Sequence, residues 1–201
     1  MVPHIVLEEV GAAFELEFVD CANGDNKKPE YLALNPNGLV PVLIDGTVKL
    51  DQAAAICLHI AGRHPESRLV PDPGSVELSL CHMWLTWLSS ELHPALSMYL
   101  HPRKWTDQEN VRSELSQGAG KKVRFLFDII DGHIAKSGGP YILGDRFSVV
   151  DAYAFVLCRW SRFMDRPGVE WPNFGPYARH ILKRPSVTRV IAREGLVEPW
   201  L

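Results

Sequence analysis

The residues that could carry chemistry start with a backbone feature rather than a side chain. The stretch LNPNGLVPVL, residues 34–43, places Pro41 inside an apolar run that otherwise reads as a β-strand. Proline has no N–H to give a ladder, so Pro41 suits an edge or a ligand-facing strand end. Two readings are open. A trans proline would close a loop, whereas a cis proline would turn the preceding backbone outward and let Val40 offer its N–H and C=O to an extended ligand. Cys21, Cys57, Cys81 and Cys158 stand far apart with no CxxC and no matching Cys/His pair, so neither a zinc site nor a disulfide framework is expected. Their pattern predicts small buried hydrophobes in a reducing compartment. Ser148 to Asp151 reads as a variant capping box, with Phe147 able to staple onto Ala152, which assigns Asp151 to structure rather than catalysis. His59 and His82 fall on helical faces without a motif and are expected to be structural.

The elements that would position these residues divide near residue 65. Before it, IVLEEV reads as helix, FELEFVD alternates as a strand, and VPVLIDGTVKL reads as two short strands around Asp45-Gly46, a pair suited to a type I′ turn. LDQAAAICLHIAGRH follows as a helix with Asp51 as its expected N-cap. HPESRLVPDPG has linker chemistry. Beyond it the apolar spacing is helical throughout, in SVELSLCHMWLTWLSSEL, KKVRFLFDIIDGHIA and VVDAYAFVLCRWSRFM. This predicts a mixed α/β unit over residues 1–63, a linker over 64–75 and an all-helical unit over 76–201.

Composition narrows the function classes. A chain of 201 residues with a formal charge of -3 and interspersed signs can bury a real core but has no basic stripe for a phosphate backbone. No apolar run approaches the roughly 20 residues of a membrane span, and MVPHIVLEE lacks the pattern of a signal peptide. A cytoplasmic protein with neither nucleic-acid nor membrane partners is expected, and no metal.

The ordered series YLALNPNGLVPVL, a hairpin, LDQAAAICLHIA, GPYILGDRFSVVDAY and RPSVTRVIAREGL resembles the cytosolic glutathione S-transferases along nearly the whole chain, and SSELHPAL points to the bacterial, beta-like branch. The resemblance implies an α/β thioredoxin-like N-terminal domain with a mixed sheet that binds glutathione, an all-α C-terminal domain that supplies the electrophile pocket, and a homodimer. It implies a cis bond at Pro41, with Val40 as backbone partner of the cysteinyl part of glutathione. Gln52 and Ala53 match the start of the helix that takes the γ-glutamyl carboxylate, a helix N-terminus with open N–H groups and partial positive charge. Ala53 stands where the family has Ser, and one missing hydrogen bond to a charged group is worth about 1.5–3 kcal/mol. Lys27 matches a basic residue that meets the glycyl carboxylate.

In the helical half, His93 matches the histidine that beta-like enzymes point at the glutathione sulfur. Pro94 is expected to bias His93 out of helical geometry or to kink the helix, exposing an imidazole able to hold a thiolate or move a proton; the plainer role is packing at that kink. Met98, Tyr99, Trp160 and Phe163 are the expected apolar lining for the electrophile. The pattern departs from the family at its start: only Met1 and Val2 precede Pro3, so the first strand and the loop with the catalytic Tyr, Ser or Cys are expected to be missing. Three functions follow from the resemblance: a transferase conjugating glutathione to small hydrophobic electrophiles in detoxification, a non-catalytic glutathione-binding or scaffold protein, and a glutathione-dependent isomerase or dehalogenase.

Overall fold

The computed structural model describes residues 1–201. Helix α1 (Val2–Val10) carries Pro3 in its first turn, where a missing N–H does no harm. A short helix α2 (Pro29–Leu34) follows, then strands β1 (Leu43–Asp45) and β2 (Val48–Leu50) and helix α3 (Ala53–Arg63). The rest is helical: α4 (Val76–Trp87), α5 (His93–Leu100), α6 (Glu109–Ile134), α7 (Val149–Trp160), α8 (Phe174–Leu182) and α9 (Pro185–Arg193). No helix is long and apolar enough to cross a membrane.

The sheet is smaller than the sequence predicts. It is one antiparallel hairpin with Leu43 opposite Leu50 and Asp45 opposite Val48, not a mixed sheet. FELEFVD does not form a strand, and Leu16 and Phe18 stand exposed. Its alternation is right for a strand, but no second strand lies beside it, and a strand without a ladder partner is not stable. The hairpin tip is Gly46-Thr47, and only Gly46 has a positive φ, of 59°. That single positive angle at the first central residue departs from the type I′ turn expected around Asp45-Gly46.

The core centres on α7, whose residues Val149 to Arg159 are all buried. A helix apolar on every side needs neighbours on every side, and α1, α3, α4, α5 and α8 supply them. The expected cap of α7 forms: Asp151 accepts the backbone N–H of Ser148 at 2.8 Å, and the Ser148 hydroxyl donates to the same carboxylate at 2.8 Å. Asp151 also takes the Ile142 N–H at 2.9 Å and the Tyr177 hydroxyl at 2.8 Å. Its role is structural. Cys57, Cys81 and Cys158 are buried, but Cys21 is exposed, so the expectation of buried cysteines fails there. Cys21 sits in a polar turn organised by Asp20, whose carboxylate takes the N–H groups of Ala22 and Asn23.

Candidate active site

The turn from Asn35 to Val40 is built from side chains aimed at its own carbonyls. Buried Asn35 donates Nδ2 to the Leu39 carbonyl at 2.7 Å, and its Oδ1 takes the Asn37 N–H at 3.0 Å. The Tyr31 hydroxyl donates to the same Leu39 carbonyl at 2.7 Å. Asn26 Nδ2 holds the Gly38 carbonyl at 2.7 Å, with Lys27 Nζ at 3.4 Å. Gly38 has φ 61°, and a Cβ there would lie 2.7 Å from Lys27 Nζ and 2.8 Å from the Asn26 carbonyl, so only glycine fits this approach. With those carbonyls turned inward, the N–H and C=O of Val40 bond to nothing in the chain, and Val40 is 51% exposed. The Val40-Pro41 bond is cis, which closes the choice left open by the residues alone.

A second row of open donors stands at α3. The helix begins at Ala53 with Gln52 as its N-cap, not Asp51, and no side chain caps it. Asp51 instead accepts from Asn37 Nδ2 at 3.5 Å, which ties the Val40 turn to the helix start. The first bond into the helix runs from the Ile56 N–H to the Gln52 carbonyl at 2.9 Å. The N–H groups of Ala53, Ala54 and Ala55 are therefore open, as at any uncapped helix start. Lys27 is thus tied to the Val40 turn through Gly38, and that turn to the start of α3 through Asn37 and Asp51.

His93 lies in the helical half. It is helical itself, with φ -61° and ψ -49°, contrary to the expected departure from helical geometry at Pro94. The preceding residues Leu88–Leu92 form a π turn, in which the His93 N–H bonds to the Leu88 carbonyl. This wider turn makes room for a proline that has no N–H and whose ring would crowd the carbonyl one turn back. The imidazole faces α7: Nδ1 lies 2.8 Å from the Tyr153 hydroxyl, and the ring packs edge-on against Trp160 at 4.8 Å between centroids. Burial, and then the charge of Lys104, hold His93 below the ordinary histidine range. Burial keeps the Tyr153 phenol protonated. Thus Tyr153 can donate to Nδ1, leaving Nε2 as the N–H of a neutral ring.

The four residues expected to line an electrophile pocket come from α5, from the end of α7 and from the turn after it. Trp160 touches His93. Tyr99 packs its ring over Gly120 of α6, and its carbonyl takes the Ser116 hydroxyl at 3.2 Å. Met98 is half-buried on α5. Phe163 is 65% exposed beneath the Arg162 guanidinium. Two of the buried cysteines make poor nucleophiles: burial pushes the Cys57 thiol up to about 12 and the Cys81 thiol to about 11. Sequence reasoning missed the residues that shape the site from behind, namely Asn26, Tyr31, Asn35 and Tyr153. The run Asn35-Pro36-Asn37-Gly38 was the one local signal of a side-chain-braced turn.

Comparison with known proteins bears on this arrangement. Residues 1–62 match the family model "Glutathione S-transferase, N-terminal domain", and residues 113–184 match "Glutathione S-transferase, C-terminal domain". Glutathione S-transferase GST-4.5 of Xanthomonas campestris pv. campestris is 30% identical over 196 residues, covering 96% of this chain and 93% of that protein. Glutathione S-transferase GstA of Escherichia coli O157:H7 is 30% identical over 204 residues, covering 96% and 92%. Among solved structures, the beta-class glutathione S-transferase of Sphingomonas chungbukensis superposes with a TM-score of 0.84 at 32% identity, covering 98% of this chain and 94% of that one. A sphingomonad glutathione S-transferase complexed with glutathione gives 0.84 at 33% identity over the same shares. With both domains matched in order and relatives similar over almost their full length, this chain belongs to the cytosolic glutathione S-transferase family.

Proposed function

We propose that the protein is a cytoplasmic, homodimeric glutathione transferase that joins the glutathione thiolate to small hydrophobic electrophiles in detoxification. Residues 1–63 act as the glutathione domain, 64–75 as linker and 76–201 as the helical domain. The observation that carries the reading is the pair of open backbone sites. Val40 has a free N–H and C=O beside Pro41, and α3 has free N–H groups at Ala53 to Ala55. Together they suit a peptide-like ligand with a carboxylate at one end: Val40 for the cysteinyl backbone, Gln52 and the α3 start for the γ-glutamyl carboxylate, Lys27 for the glycyl carboxylate. In the reaction the sulfur bonds to the electrophilic carbon, the leaving group departs with its electron pair, and the thiol proton goes to solvent.

His93 is the side chain assigned to the sulfur. A neutral ring that accepts from Tyr153 at Nδ1 presents its Nε2–H, and a hydrogen bond to a thiolate favours the ionised thiol. Met98, Tyr99, Trp160 and Phe163 would border the electrophile. Two-fold assembly is supported by apolar side chains left exposed: Val76, Leu80 and Met83 along α4, Phe125 and Ile129 on α6, and Ile44 and Val48 on the hairpin.

A second reading, glutathione binding without turnover, is favoured by Ala53, which supplies an N–H but no hydroxyl to the carboxylate. Retention on immobilised glutathione, set beside a spectrophotometric assay with 1-chloro-2,4-dinitrobenzene, separates the two. Retention with turnover supports conjugation, retention alone supports the binding protein, and neither would refute both.

A further inference from the structure

A cavity of about 470 Å³ opens at the turn joining α5 to α6. Leu100 is its one hydrophobic lining residue, and its charged lining is Arg103, Lys104 and Arg112 with His101 beside them, against the single carboxylate of Glu109. That carboxylate is already engaged. Arg112 donates to it at 2.5 Å and to the Thr106 carbonyl at 3.1 Å, and its side chain is only 18% exposed. Arg103 and Lys104 have no carboxylate within 4.0 Å, so two cations at this cavity are uncompensated. The cavity adjoins two residues assigned above to the electrophile, since its lining residue Leu100 follows Met98 and Tyr99 on α5 and the hydroxyl of another, Ser116, donates to the Tyr99 carbonyl at 3.2 Å.

A wall of this kind suits an anion better than a neutral apolar ring. Like charges held beside one cavity raise the local concentration of anions and gain from a ligand that neutralises them. Arg112, fixed by Glu109 and Thr106, makes the cavity a shaped site rather than two mobile side chains on a surface.

We infer that this cavity holds an anionic group of the second substrate, so that electrophiles bearing a carboxylate, sulfonate or phosphate are preferred over neutral ones of the same shape. The naming of an electrophile rests on the conjugation reading above, whereas the binding does not. The test compares 4-chloro-3-nitrobenzoate with 4-chloro-3-nitrobenzamide, first by calorimetric titration of the whole protein without glutathione. The acid should bind at least about tenfold more tightly than the amide, as one charge-assisted contact allows. The preference should vanish in the double variant Arg103→Gln/Lys104→Gln and weaken as salt is raised. It should persist in Lys121→Gln/Lys136→Gln, which changes net charge equally at exposed positions away from the cavity. Thermal melting of both double variants confirms that they fold. Turnover with glutathione then forms a C–S bond and breaks C–Cl, with chloride leaving on its electron pair, and kcat/KM should show the same ranking. Equal affinity for acid and amide in the wild type would overturn the inference, as would a preference that survives Arg103→Gln/Lys104→Gln or falls equally in the control. A binding preference without turnover of either compound or of 1-chloro-2,4-dinitrobenzene would leave the inference standing and remove the conjugation reading instead.

Discussion

The two halves of the chain are held together in different ways. The helical half closes around α7 and carries most of the buried side chains, including Leu85, Leu88, Phe127, Phe155 and Phe174. In the first half the buried apolar residues come from α1 and α3 alone: Val2, Ile5, Val6, Ile56, Cys57, Ile60 and Ala61. Those two helices pack on α7, and α1 also packs on α9. The hairpin and the Val40 turn add little burial, with Ile44 59% and Leu39 51% exposed. The first half therefore borrows its stability from the second. Open backbone groups that would be a liability in a core become available to a ligand.

The largest expected effect lies on the self-sufficient side. Asp151 is fully buried and takes four donors, and its removal would strand the Ile142 and Ser148 N–H groups and the Tyr177 hydroxyl. Asp151→Ala should cost about 3–5 kcal/mol, in the range for breaking a buried polar network. Denaturant unfolding of the variant measures this, and a cost under about 1 kcal/mol would show that the network is dispensable.

The borrowing itself is tested at Glu9, which receives two bonds from Arg184 at 2.7 Å and one from the Ser186 hydroxyl. This clamp joins α1 to the approach of α9. Glu9→Ala should cost about 1–3 kcal/mol. Hydrogen exchange should quicken in α1 and α3 before α7. Uniform quickening would mean that the halves open as one unit.

The two halves differed in how much of them could be read from sequence, for a physical reason. The α7 cap, the hairpin, Pro3 in a first turn and the run of helices were legible because each is a local pattern of spacing, capping or turn residues. FELEFVD was not, since alternation marks a strand only when a neighbour exists to pair with it. Pro94 signalled a disturbed helix, but the resolution as a π turn that keeps His93 helical depends on Leu88 and on packing against Tyr153. The Glu9–Arg184 clamp spans 175 positions and leaves no local trace. At the candidate site, Pro41 and Val40 stood out as a proline inside a strand-like run and Ala53 through resemblance, while Asn35 and Tyr31, which brace the turn, were missed because a buried asparagine looks like any other loop residue.

His93 sharpens the comparison from the functional side, as the proposed contribution of the helical half to chemistry in the other. His93→Ala should lower kcat by about ten- to a hundredfold, in the range for loss of one positioned acid or base. It should also raise the pH at which activity appears, with glutathione affinity changed less. Because the folded state depresses the His93 pKa, its share of stability is complete above about pH 6.5 and is lost as pH falls through the lower folded value. Below about pH 6.5 the wild type should therefore lose stability more steeply than His93→Asn. An unmoved rate profile would return His93 to a packing role.

The smallest effect belongs to the exposed part of the first half. Phe18 is 86% exposed, so Phe18→Ser should shift stability by no more than about 0.5 kcal/mol. A larger loss would show that this segment packs against something in solution, and that the first half is less dependent on α7 and α9 than its burial suggests.

The central claim is that open backbone groups at Val40 and at the start of α3 are the glutathione site. The most direct measurement is a titration of the isotope-labelled protein with reduced glutathione, followed by amide NMR. The account predicts saturable shifts at the N–H groups of Val40, Ala53, Ala54 and Ala55, with smaller changes at His93. Saturable binding that leaves those four amides unmoved, or no binding at millimolar glutathione, would contradict it.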